Sequence, residues 1–266
     1  MTKSTKELTK REEQDLAINE ELEAKLERMA QEDAGQGVSN RSEDKFYPLM
    51  TVLQPLSPQV DENHQAYVNG AKAGAIWLRN FETPIVKGTE GIVVQPIMMY
   101  EEFVEWVPRE RGGGMVSRSF KRHANARCVD KATNRWKIGE NELRETRMWV
   151  VIVWVDNAPV PFIIPCQGTQ NTFARQWNTI IGQQFNANGT VTPAWGNLWR
   201  LTTKQRTNSK GTWYVFTFEH EQKVRDTPTY MAGRQLHAVV KEAVEQGRAL
   251  SEVAEQEEGT TDEGAM

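Results

Sequence analysis

The run MWVVIVWVDNAPVPFIIP, residues 148–165, decides how this chain folds. Two apolar stretches, dominated by Val, Ile and Trp, flank Asp156-Asn157-Ala158-Pro159. Short apolar runs rich in β-branched and aromatic residues, bounded by turn formers, read as strands buried on both faces. The stretch therefore predicts a hairpin with strands at 148–155 and 160–165 and its turn at DNAP.

Working outward, GIVVQPIMMY (91–100) and FVEWV (103–107) read as two further strands. FYPLMTVLQPLSPQV (46–60) carries Pro48, Pro55 and Pro58, so any strand there is short or lies on an edge. GTQNTFARQWNTIIGQQF (168–185) predicts an amphipathic helix with Phe173, Trp177, Ile180, Ile181 and Phe185 on one face, capped by Thr169 or Asn171. NANGT (186–190) is a turn. LWRLTTKQR (198–206) and TWYVFTFEH (212–220) form a second hairpin across TNSKG. Several short strands, one helix and no βαβ alternation give a β-rich α+β class. A Greek-key barrel of OB type with insertions fits this pattern.

The chain has 266 residues, and its net charge of −4 hides an asymmetry. Residues 1–45 hold 8 basic and 12 acidic side chains, and residues 242–266 hold 1 and 8. Residues 46–241 hold 23 basic and 16 acidic, together with all nine tryptophans. Three regions follow: an N-terminal helix and linker (1–45), a basic Trp-rich domain (46–241) and an acidic tail (242–266). The helix spans 6–34, with Ile18, Leu22, Leu26 and Met29 as a narrow apolar stripe, and DAGQGVSNRSED (33–44) is the linker. The tail is too poor in apolar residues to offset ordering entropy, so disorder is expected. With no apolar run near the ~20 residues of a membrane span, no secretory leader and only Cys128 and Cys166, a soluble protein of a reducing cytoplasm is expected.

The second hairpin offers a surface chemistry. If residue 206 pairs with 212, one face carries Arg200/Phe218, Thr202/Phe216, Lys204/Tyr214 and Arg206. Bases stack on such rings while the cations meet phosphates. A one-residue slip would instead send the phenylalanines into the core. The second candidate is YEEFVEWVPRERGGGMVSRSFKR (100–122), where Trp106 and three glycines sit among Arg109, Arg111, Arg118, Lys121 and Arg122. The segment 108–147 holds 11 basic and 5 acidic side chains. Gly112–Gly114 fits neither a P-loop nor a dinucleotide fingerprint. A cationic loop of this kind suits salt-sensitive backbone binding, or else it is an ordinary turn with solvated charges. His123, Cys128 and Cys166 lack paired ligand spacing, so neither metal nor other cofactor is expected. No hydrolase, zinc-protease or deaminase motif occurs, so no catalytic residue is assigned and no enzyme is expected.

Five strings taken together, FYPLMTVLQPLSPQV, GAKAGAIW, VEWVPRERGGG, PFIIPCQGTQNTFARQW and GTWYVFTF, resemble a group of tailed-phage single-stranded DNA-binding proteins found with replication and recombination genes. The resemblance spans about residues 46–220. It implies an OB-type barrel that binds single-stranded DNA, and an acidic tail that contacts replication or recombination proteins in the host cytoplasm. The tail departs from that pattern in ending Gly264-Ala265-Met266. The competing expectation is a non-enzymatic phage protein that binds a host or phage protein through its helix or tail.

Overall fold

The structure is a computed structural model that describes residues 46–81, 84–130, 135–209 and 211–251, together with Lys25, Arg28 and Met29. The chain divides into two compact units, Met1–Asp44 and Lys45–Met266. In the first unit the three described residues are helical and exposed. The rest of the expected helix, the linker and the acidic segment from residue 252 lie outside the described residues.

In the second unit the strands are β1 (Met50–Val52), β2 (Ile76–Leu78), β3 (Ile85–Val86), β4 (Ile92–Trp106), β5 (Met115–Ser119), β6 (Arg127–Asp130), β7 (Arg135–Ile138), β8 (Asn141–Val155), β9 (Ala158–Cys166), β10 (Asn197–Asn208) and β11 (Gly211–Lys223). Two helices accompany them, α1 (Gln170–Ile181) and α2 (Thr227–Glu245). β1, β2 and β3 form a small sheet. The other strands form an eight-stranded sheet in the order β11-β10-β4-β8-β7-β6, with β5 on β4 and β9 on β8. It curls into a half-barrel, giving the β-rich α+β class expected from sequence. Among the described residues β11 and β6 do not pair with each other, so the curl stays open where an OB-type barrel would close.

The 148–165 hairpin forms, with a turn of two residues in place of the four of DNAP. Val155 pairs with Ala158, leaving a two-residue turn of Asp156 and Asn157 with φ of 48° and 63°. Positive φ at both positions matches the right-handed twist of the flanking strands, and Asn and Asp tolerate it best. The strands expected at 91–100 and 103–107 are one continuous strand of 15 residues. Pro96 is admitted inside it because the register with β8 shifts between Pro96 and Met98, and a bulge needs no ladder donor there.

The half of the sheet formed by β11, β10, β4, β8 and β9 is covered on both faces. One face carries α1 and the small sheet over a core holding Trp149, Trp177, Trp199, Phe162 and Phe216. The other carries α2 over Ile97, Tyr100, Val150, Ile152 and Ile163. Its edges are closed too. Gln54 Oε1 accepts from the Tyr214 amide (2.9 Å), its Nε2 donates to the Tyr214 carbonyl (3.0 Å), and Gln170 Oε1 accepts from the Phe216 amide (3.1 Å). On β9, the Ile163 amide donates to the Pro48 carbonyl at 2.9 Å. The Gln54 and Gln170 side chains and the Pro48 carbonyl thus occupy edge groups that could otherwise pair with another strand.

Three expectations need correction. First, the second hairpin turns through two residues rather than five: Asn208 pairs with Gly211, so Thr203 faces Phe216, Gln205 faces Tyr214 and Leu201 faces Phe218. The one-residue change moves every β11 side chain to the opposite face relative to β10. Phe216 is sealed in the core, while Arg200, Lys204 and Arg206 point the other way beside Glu219, Val215 and Trp213. Second, α2 is absent from the sequence reading. Its signal was Asp226-Thr-Pro: Asp226 Oδ1 caps the Thr229 amide at 2.8 Å and a proline sits in the first turn. Third, the body does not stop at residue 241. Ala243 is buried in α2, and Leu250 and Ser251 are buried beyond it.

The corrected register has a direct check. Phe216→Ala should cost about 3–5 kcal/mol in chemical denaturation, as for a core phenylalanine, while Lys204→Ala should stay within about 0.5 kcal/mol. A near-neutral Phe216→Ala would mean the hairpin pairs the other way.

Candidate nucleic-acid interface

β4 and β8 outrun the covered half of the sheet. Past Tyr100 and Met148 they form, with β5, β7 and β6, a five-stranded limb. Composition changes at that point. Glu101, Glu102, Glu105, Glu142, Arg144, Glu145 and Arg147 replace the apolar residues of the core segment. A carboxylate taken out of water must find a cation or donors, and the limb supplies them. Glu102, 1% exposed, is paired by Arg118, whose Nη1 also donates to the Ser251 carbonyl at 2.7 Å. Glu145, 4% exposed, receives Arg122 at 2.7 Å and Arg147 at 2.6 Å. The Arg122 guanidinium lies 4.0 Å over the Trp136 ring and 5.3 Å over that of Phe103. Arg144 pairs with Glu142 at 3.1 Å, and Arg111 with Glu140.

The glycine run takes its place here. Gly112, Gly113 and Gly114 have φ of 106°, 67° and 105°, a backbone other residues rarely adopt. They reverse the chain so that the Val107 amide donates to the Gly114 carbonyl at 2.9 Å and β5 returns along β4. This is a structural turn first. Most described arginines around it are committed to carboxylates.

The expected site residues fall on two distant surfaces. Trp106, half-buried, and exposed Lys121 belong to the limb with paired Arg111, Arg118 and Arg122; the Arg109 side chain lies outside the described set. Arg200, Lys204, Arg206, Tyr214, Phe216 and Phe218 belong to the β10–β11 hairpin. That hairpin meets β4 only at Ile92–Val94, whereas Trp106 ends the strand. At about 3.3 Å per residue, the ends of a 15-residue strand lie on the order of 45 Å apart along its path. Within the hairpin, Arg200 Nε and Nη2 hold Glu221 at 2.9 Å each, and this bond keeps the Glu221 carboxyl below its ordinary range. Lys204 and Arg206 are exposed and make no ion pair among the described residues. Tyr214 and Phe218 are half-buried against the core. Among the described residues, no group of three or more His, Cys, Asp or Glu is placed to hold a metal ion.

The limb brings together residues that sequence reasoning missed. Register places Met115 beside Trp106, Trp106 beside Glu142, Glu142 beside Lys137, and Lys137 beside Arg127. Paired residues share a face, so these five make one cross-strand row with a ring and two cations. Neither Lys137 nor Arg127 makes an ion pair among the described residues. The row's signal was the alternation Arg135-Trp136-Lys137-Ile138, legible only once 108–147 is read as strands. A second feature missed is an open groove of about 640 Å³ beside α1, lined by Thr172, Arg175, Gln176, Thr179, Ile180 and Phe218.

A family model described as Pam3 phage gp34-like protein matches residues 17–246. No curated protein matches the chain significantly, and neither does any solved structure.

The ion pairs of the limb make a stability prediction. Arg118→Met strands the Glu102 carboxylate in the interior and should cost about 3–5 kcal/mol in urea denaturation, with most of the loss recovered in Glu102→Leu/Arg118→Met. A single variant as stable as the parent would show that Glu102 is not held by Arg118.

Proposed function

The chain belongs to the Pam3 phage gp34-like protein family, and on that premise we propose that this bacteriophage protein binds single-stranded DNA without reading its bases. The observation that carries the reading is the cross-strand row of Trp106, Lys137 and Arg127. A ring offers stacking of about 1–3 kcal/mol per base whatever the sequence. Lys137 and Arg127, beyond Glu142 in the same row, neutralise phosphates and release counterions, which makes affinity fall with salt. Exposed Lys121 adds to the same limb. In this reading the curled sheet serves as an OB-type platform, with the strand on the limb instead of the second hairpin.

The acidic C-terminal residues, six carboxylates and no cation over 252–266, recruit replication or recombination proteins in the host cytoplasm. The protein performs no catalysis and needs no cofactor. Among the described residues no helix is long and apolar enough to cross a membrane.

A second reading has its own observation. Met115, Val116 and Val129 are about half exposed on the limb (49%, 51% and 58%), which suits docking on another phage or host protein.

Fluorescence anisotropy with labelled oligo(dT) and duplex DNA at two salt concentrations separates the readings. Arg127→Glu/Lys137→Glu should weaken oligo(dT) binding at least tenfold, and Lys204→Glu/Arg206→Glu should leave it within twofold. Equal affinity for duplex and single strands, or indifference to the limb variant, overturns the proposal. Capture of a phage partner lost on Met115→Asp/Val129→Asp, with no DNA binding, would establish the second reading.

A further inference from the structure

α1 buries Phe173, Ala174, Trp177 and Ile181 against the sheet. Helical geometry then turns Thr172, Arg175, Gln176 and Thr179 outward. Ile180, expected on the buried stripe, is 37% exposed with them. These side chains and the Phe218 ring of β11 bound the groove of about 640 Å³. The Phe218 ring is held from behind. It stacks on Trp177 at 6.2 Å and 24°, and meets Phe173 and Trp199 at 5.9 and 5.8 Å. One part of the ring faces the groove while the rest is fixed in the core.

The lining chemistry is specific. Arg175 is its single charged residue and makes no ion pair among the described residues. The Gln176 amide and Thr172 hydroxyl make no side-chain hydrogen bond among the described residues either, so donors and acceptors are open. Thr179 Oγ1 donates to the Arg175 carbonyl at 3.0 Å and keeps its lone pairs. A purely apolar ligand would leave Arg175 without an anion. A metal ion finds no carboxylate, imidazole or thiolate in the lining. A flat ring, an unmatched cation and a bidentate amide together suit a planar heterocycle carrying a phosphate.

We propose that this groove binds one nucleotide, with its base against Phe218 and Gln176 and its phosphate on Arg175. The site is separate from the limb row. Trp149 pairs with Met99 on the face that meets Trp177 of α1, and alternation from Met99 puts Trp106 on the opposite face. The nucleotide is either free or one unit of a strand, and the two sources are separable.

Saturation-transfer NMR on the full chain, with dTMP, inorganic phosphate and oligo(dT) as probes, tests the site. Transfer to the thymine protons of dTMP is expected, with at least tenfold weaker binding in Arg175→Glu and no change in Arg127→Glu/Lys137→Glu. Gln176→Ala should lower affinity without altering the circular dichroism spectrum. If dTMP gives no transfer but Arg175→Glu weakens oligo(dT), the source is a strand. If Arg175→Glu alters neither, or inorganic phosphate displaces dTMP at equal concentration, the site is not a nucleotide site. Loss of oligo(dT) binding in the limb variant alone bears on the limb reading and leaves the groove untouched.

Discussion

The pairing of β4 with β8 is the constraint on which everything else rests. Each strand has 15 residues, and they pair along most of their length. One half of the ladder is apolar on both sides, so it must be covered by α1 and the small sheet on one face and by α2 on the other. The other half carries alternating charge and projects into the limb. A one-residue slip would move every side chain of the shifted strand to the other face and out of register with both packed cores. Every other element is placed by reference to this ladder.

The same ladder explains why basic residues cluster where they do. β4 contributes Glu101 and Glu102, and β8 contributes Glu142 and Glu145, to surfaces that neighbouring strands partly cover. Arg118, Arg122, Arg144 and Arg147 answer them. Part of the positive excess of segment 108–147 is therefore balanced by Glu101 and Glu102, which a window starting at residue 108 leaves out. Arg118 extends the pairing to Ser251, so the end of the described body is tied to the limb through one guanidinium.

Two sets of residues without an ion pair among the described residues can be placed. Trp106, Lys137 and Arg127 share a face of the limb, and Arg175, Gln176 and Phe218 share a groove on the other side of the sheet. Neither group is contiguous in sequence. The strand row depends on pairing across β4, β8, β7 and β6, and the groove depends on a helix docking beside a strand some forty residues downstream. A surface proposed from one hairpin alone could have found neither.

Local chemistry carried the elements. Val, Ile and Trp around DNAP determined a buried hairpin, Phe173, Trp177 and Ile181 determined the inward stripe of α1, and Asp226-Thr-Pro was a helix start waiting to be read. Prolines limited the strand near residue 50 to three residues, as the sequence implies. Register and partnership were beyond it. A two-residue turn at Ser209 in place of a five-residue one turned Phe216 and Phe218 to the core side and left Arg200 and Lys204 on the other face without them, because side chains alternate with period two and a single step exchanges inside for outside. Which arginine meets a phosphate and which a glutamate depends on strands brought together from distant parts of the chain, so the sequence by itself determined where charge and rings occur, and only the tertiary structure decided which of them stay open to solvent.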